Sequence, residues 1–177
     1  MLNLPRNVWI LAICLALFMS LSVFIVFVGG ILGNELASSK SLSTLPVAAI
    51  VVGTAVSIFP VIRLMSVFGR KTVFLMICIY SIALLGLSVF AIITGSFLLF
   101  CLSSFLLGAT VATMNQFRFA AIESVSEEQR ATATAIVLLG GLVSAYLGPE
   151  VATIGKEIFA INFVGSYILL GLLFLIA

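Results

Sequence analysis

The chain has 177 residues, 63% of them apolar and only 8% charged, with a net charge of +2. A soluble domain carries about 25% charged residues and about 45–50% apolar ones, so there is too little polar surface here to cover a globule in water. This balance excludes disorder, a coiled coil, a nucleic-acid-binding module and a soluble enzyme, and it makes the lipid bilayer the solvent. Histidine and aspartate are absent from the sequence, which removes Ser-His-Asp triads, HExxH zinc sites and His-based proton relays. Cys14, Cys78 and Cys101 stand alone within apolar runs and read as small core residues. No catalytic residue, metal or cofactor is expected, and the chain is not read as an enzyme.

In chain order, six segments are long enough to cross a hydrocarbon core, which takes about 20 residues. They span residues 8–30, 45–65, 72–94, 97–117, 131–153 and 158–177, and no charge interrupts the middle of any of them. The first is too long for a signal-peptide core and is followed by no A-x-A-like site, so it reads as a retained helix. Continuous apolar runs also exclude a β-barrel, whose strands alternate. The fold class expected is therefore all-α: a polytopic membrane protein with six transmembrane helices in one domain, residues 1–177.

The basic residues are distributed unevenly between the two ends of these spans. Arg6, Arg63, Arg70, Lys71, Arg118 and Arg130 fall on one side, and Lys40 and Lys156 on the other. The positive-inside rule places the first group and the N-terminus in the cytoplasm. Thr94-Gly95-Ser96 is a bare turn, so the third and fourth spans are expected to be antiparallel neighbours. The longest external connection is 31–44 and the longest internal one is 121–130, which carries Glu123, Glu127, Glu128 and Arg130.

Two helices carry patterned small or polar residues. In the fifth span, Gly140, Ser144 and Gly148 recur every four residues on one face, and Pro149 follows them, removing a backbone donor. Small residues at that spacing mark helix–helix contacts in lipid, and the proline marks a kink. In the fourth span, Ser104, Gly108, Ala112 and Asn115 form a rough stripe that ends beside Gln116 and Arg118. Amide side chains are costly in hydrocarbon and should face protein or water. They line an inner vestibule, bond to neighbouring helices or reach the interfacial zone.

The connection after the second span reads Ile62-Arg63-Leu64-Met65-Ser66-Val67-Phe68-Gly69-Arg70-Lys71. It resembles the cytoplasmic loop of the major facilitator superfamily, G-x-L-A-D-[RK]-x-G-R-[RK], at Leu64, Gly69, Arg70 and Lys71. Ile62, Ser66 and Val67 depart from the pattern, Ser66 by replacing an aspartate. After the fourth span, Glu123, Arg130 and the small residues 131–135 are similar to the family's acid–arginine element. Ser144-x-x-x-Gly148-Pro149 is similar to its G-x-x-x-G-P element, without the glycine pair that follows there. Across the whole chain the order of spans resembles the N-terminal six-helix bundle of such a transporter.

That resemblance implies alternating-access transport of a small solute across a bacterial inner membrane. It implies cytoplasmic gate ion pairs among Gly69, Arg70, Lys71, Glu123 and Arg130, and a path lined by the first, second, fourth and fifth helices. On those helices Ser20, Thr54, Asn115, Gln116, Ser144 and Tyr146 are the polar residues that would face it, and Glu150 is the acid placed for proton coupling. No acid lies deep within a span, which favours facilitated diffusion or coupling supplied from elsewhere. Family members have twelve helices, so the chain is expected to be half of a transporter, completed by a second six-helix half or a homodimer partner, or else a truncated fragment. The partners expected are lipid and a small-molecule solute, with no nucleic acid. The competing reading is a non-transporting scaffold or assembly subunit built from the same helices.

Overall fold

The computed structural model describes residues 4–177, and the chain folds as an all-α bundle. Its helices are α1 (Arg6–Leu36), α2 (Leu45–Phe68), α3 (Arg70–Ile93), α4 (Phe97–Met114), α5 (Phe117–Glu123), α6 (Arg130–Gly155) and α7 (Val164–Ile176). Among the described residues, five helical stretches are long and apolar enough to span a bilayer, α4 and α5 counting together, and the apolar α7 adds a sixth, shorter one. Helix is the form that satisfies every backbone N–H and C=O within one segment, so apolar runs of this length adopt it in lipid.

α1 runs through the middle of the bundle, against α6 along one side and against α2, α4, α5 and α7 elsewhere. Its buried residues, among them Phe18, Leu21, Phe24, Ile25 and Val28, occupy much of its circumference. At the α1–α6 seam, Gly140 lies against the backbone of Ala12 and Ala16, and Gly148 against Val23 and Phe24. α2 and α4 approach just as closely. A Cβ on Gly108 would overlap the backbone of Gly53 and Thr54, and one on Gly53 would overlap that of Phe105. Glycine on both helices at one crossing allows near backbone-to-backbone contact, where dispersion is strongest.

α3 and α4 form the antiparallel hairpin that the short turn requires. Gly95 (φ 66°) reverses the chain, and the Ser96 hydroxyl accepts from Leu99 N at the start of α4. Hydroxyls then tie the pair together at several levels: Ser81 to Thr110 at 2.6 Å, Ser88 to Ser103 at 2.9 Å, and Tyr80 Oη to the Leu106 carbonyl at 3.1 Å. Bonds of this kind average about 0.6 kcal/mol in membrane bundles. α7 closes the other side, where Ser166 Oγ donates to Ala152 O at 2.8 Å and Cys78 Sγ to Phe174 O at 3.0 Å.

Three span limits differ from those expected from hydropathy. α1 continues past residue 30 to Leu36, because the following segment folds back on it: Gly33 sits directly under the Ser43 carbonyl. The fourth span breaks at Asn115 and Gln116. Asn115 Nδ2 donates to Val111 O at 3.2 Å, Gln116 N turns to the Thr113 carbonyl, and α5 starts with the Phe117 ring buried. Local amide–backbone bonds compete with helix continuation there. The sixth helix starts at residue 164 rather than 158. Gly155 and Gly165 let the chain double back, with Phe163 in a left-handed conformation (φ 67°). Its buried ring and the Lys156 ammonium, 5.9 Å from the ring centroid, hold that turn. By contrast, α6 runs as one helix through Pro149.

Replacing Gly108 by alanine should destabilise the bundle by about 1–3 kcal/mol, the usual cost of overpacking. Gly86→Ala on the open face of α3, where a Cβ meets nothing within 4 Å, should instead stabilise it by about 0.5–1 kcal/mol. Thermal unfolding of the two variants in detergent reads the difference, and equal effects would remove the tight α2–α4 crossing.

Candidate functional site

The loop between α2 and α3 is a single residue. Gly69 takes φ 79° and ψ 155°, a conformation that side-chain-bearing residues rarely adopt, and Arg70 is already the first residue of α3. That turn aims Arg70 across the end of the bundle at α5. Arg70 Nη2 donates to Glu123 Oε1 at 2.6 Å, joining residues 53 positions apart. The pair is open to solvent, with side-chain exposures of 32% and 60%, so it binds weakly and can exchange with water.

The other charges at this end are arranged differently. Arg130 Nη1 lies 3.5 Å from Glu127, one turn away on the same segment, so the three residues Arg70, Glu123 and Arg130 are divided between two separate ion pairs. Arg118 stacks over the neighbouring Phe119 ring at 4.9 Å. Lys71 is exposed and makes no ion pair among the described residues. Ser66 turns its hydroxyl back to Arg63 O at 2.7 Å.

Beneath the pair, aromatic rings lock the helix ends. Phe117 of α5 packs edge-on against Phe18 (5.8 Å) and Phe74 (4.5 Å), and Phe18 packs on Phe174 at 4.4 Å. These contacts tie α1, α3, α5 and α7 together, so Glu123 is carried on a fixed support. Gln116 sits at the same end of the bundle, lining a cavity of about 210 Å³ with Met65, Ser66 and Arg70.

A second concavity lies deeper. α1, α2 and α4 form an open groove of about 290 Å³ walled by Val26, Ala55, Ile58 and Val111, with Ser22 and Thr54 on it. Thr54 Oγ1 donates to Ile50 O at 2.7 Å. Ser22 is half-buried and lies about 24 Å along α1 from Arg6, at 1.5 Å per residue, which is near mid-helix. Ser22 does not stand out in the sequence, because α1 is apolar on all sides and only its packing distinguishes one face from another.

The remaining polar residues are spread over the bundle. Ser20 and Ser144 are fully buried and bond to carbonyls of their own helices, Leu17 at 2.5 Å and Gly141 at 2.6 Å. Asn115 is exposed at the α4–α5 break, and Tyr146 is 68% exposed on the outer side of α6. Glu150 is half-buried one residue after Pro149 and has no ion-pair partner among the described residues. No group of three or more His, Cys, Asp or Glu side chains that could hold a metal ion occurs among the described residues.

The sequence matches the family model of the Major Facilitator Superfamily over residues 8–177. It is 34% identical over 173 residues to the riboflavin transporter RfnT of Brucella anthropi, covering 95% of this chain and 43% of that protein. It is 31% identical over 158 residues to the uncharacterized MFS-type transporter YddS of Bacillus subtilis, covering 85% of this chain and 35% of the relative. A further Bacillus subtilis MFS-type transporter, YdeG, is 32% identical over 130 residues, 73% of this chain and 30% of the relative. The chain thus spans less than half the length of each of these relatives. No solved structure matches it. With its helices in the order and hydropathy of a membrane bundle and the family model matched across almost its full length, this chain is an integral membrane protein that belongs to the major facilitator superfamily.

Proposed function

We propose that the chain is the N-terminal six-helix part of a transporter that moves a small solute by alternating access, and that riboflavin is its solute. The observation that carries the solute assignment is the 34% identity to a riboflavin transporter across 95% of the chain. Riboflavin is a flat heteroaromatic body with a polar hydroxylated tail. A groove with an apolar wall and hydroxyls from Ser22 and Thr54 offers both kinds of contact, and transporter sites lie near the bilayer midplane. The side-chain amides of Asn115 and Gln116 extend the polar character towards the basic end.

On this reading Arg70–Glu123 is a gate contact on the cytoplasmic side of a bacterial inner membrane, with the N-terminus inside. Its support is geometric: the pair joins α3 to α5 at the end where most of the basic residues lie, and its solvent exposure keeps the cost of opening small. The relatives are more than twice as long as the part this chain covers, which supports completion of the pathway by a second bundle or a second copy. Chemistry on the solute is no part of the proposal. Without an acid deep in a span, coupling to protons would fall to Glu150 or to the completing half.

Two measurements test these points. Expressed in a riboflavin-auxotrophic bacterium without its own uptake system, a chimera joining this chain to the remaining helices of RfnT should restore growth on low riboflavin. A chimera that inserts in the membrane and carries another solute, but no riboflavin, would overturn the solute assignment and leave transport standing. For the gate, Arg70→Glu and Glu123→Arg should each change the transport rate about two- to fivefold, the range an exposed pair can contribute. The double reversal should restore it, and additive loss in the double variant would dismiss the pair as a gate.

A further inference from the structure

Beside the Arg70–Glu123 pair, on the flank where α1, α3 and α5 meet, lies a cleft of about 560 Å³. Its upper wall is polar, from Asn7, Arg70 and Lys71, and its lower wall is apolar, from Ile10, Phe74 and Leu75. Glu123 pairs with Arg70, and Lys71 in the lining of the cleft has no ion-pair partner among the described residues. The first turn of α3 carries no acidic residue and no side-chain cap, so the positive end of its helix dipole lies at the level of Lys71. Ile10 and Leu75 are 45% and 61% exposed, which is favourable in hydrocarbon and unfavourable in water.

A soluble anion would match the upper wall and leave the lower one wet. A phospholipid matches both, because its phosphate sits at the interface and its acyl chains begin just beneath. Lys71 and Leu75 are one helical turn apart, about 6 Å along the axis, which is the order in which a lipid presents phosphate and then hydrocarbon. We propose that this cleft binds an anionic glycerophospholipid, its phosphate on Lys71 and the outer edge of Arg70, and one acyl chain along Ile10, Phe74 and Leu75. Basic clefts between helices at the membrane interface recognise headgroups in this way.

Native mass spectrometry of the detergent-purified chain, offered dioleoyl-phosphatidylglycerol or dioleoyl-phosphatidylcholine, tests it. The wild-type chain should retain phosphatidylglycerol in preference to phosphatidylcholine. Lys71→Gln should lower that retention about fivefold, the factor expected for one basic residue at the interface. Ala120→Leu, which keeps both charges and fills the floor of the cleft, should lower it as well, whereas Arg63→Gln on α2 should not. Lys71 is exposed, so its variant keeps the fold and carries the test if Ala120→Leu does not. Equal retention of the two lipids by the wild-type chain overturns the proposal. So does an equal fall in K71Q and R63Q, which would mean general surface attraction, and so does full retention by a folded A120L.

Discussion

Between helices surrounded by lipid there is no hydrophobic drive to associate, because the acyl chains are as apolar as the side chains they replace. What holds such a bundle is close backbone approach, dispersion across the seam and hydrogen bonds that have no water to compete with. In this chain the approach is made at Gly53 against Gly108 and at Gly140 and Gly148 against α1, with Gly155 against Gly165 turning the last helix back. Each is a place where one methyl group would push two helices apart. The hydroxyl contacts between α3 and α4 add direction to that packing, since Ser81 meets Thr110 and Ser88 meets Ser103 at only one register.

The same constraint separates rigid from yielding parts. α1 with α6, and α2 with α4, are paired through backbone contact and have little room to slide. Contacts at the basic end are of another kind: an ion pair in partial contact with solvent, an i,i+3 pair beside it, and a half-turn of helix broken by amides. Close backbone packing thus lies along the helix seams, and the weak, solvent-exposed contacts are gathered at one end. Stretches of α2 and α6, including Val51, Val56, Phe59, Leu142 and Tyr146, remain uncovered, and in lipid they carry none of the penalty that water would impose.

How far the sequence could be read depended on whether a property was local. The Gly140–Ser144–Gly148 spacing is visible in one helix because a contact face repeats every turn. Gly53 is half of an equally tight contact, yet it stands alone in α2 and its meaning comes only from Gly108 opposite. Gln116 reads from its place near the inner end of the fourth span as an amide at the basic end, but only the fold shows which residues it joins there, Met65, Ser66 and Arg70. Ser20 and Ser22 differ by two positions and look alike on paper. One bonds to its own helix in the core and the other faces a groove, because successive residues on a helix point about 100° apart.

Composition, run length and the placement of charge by themselves determined that this is an all-α membrane chain of six apolar segments, with six of its eight basic residues gathered at one end. Those are statements about solvent, and each residue contributes to them wherever its neighbours lie. Tertiary structure alone decided which charges pair, which hydroxyls face a cavity and where the sixth helix begins. It sets Arg70 against Glu123 across 53 positions and leaves Arg130 to Glu127. The reason is geometric: a one-residue turn at Gly69 and a two-residue break after Met114 aim those side chains, and the direction of a turn is settled by packing against helices distant in the chain.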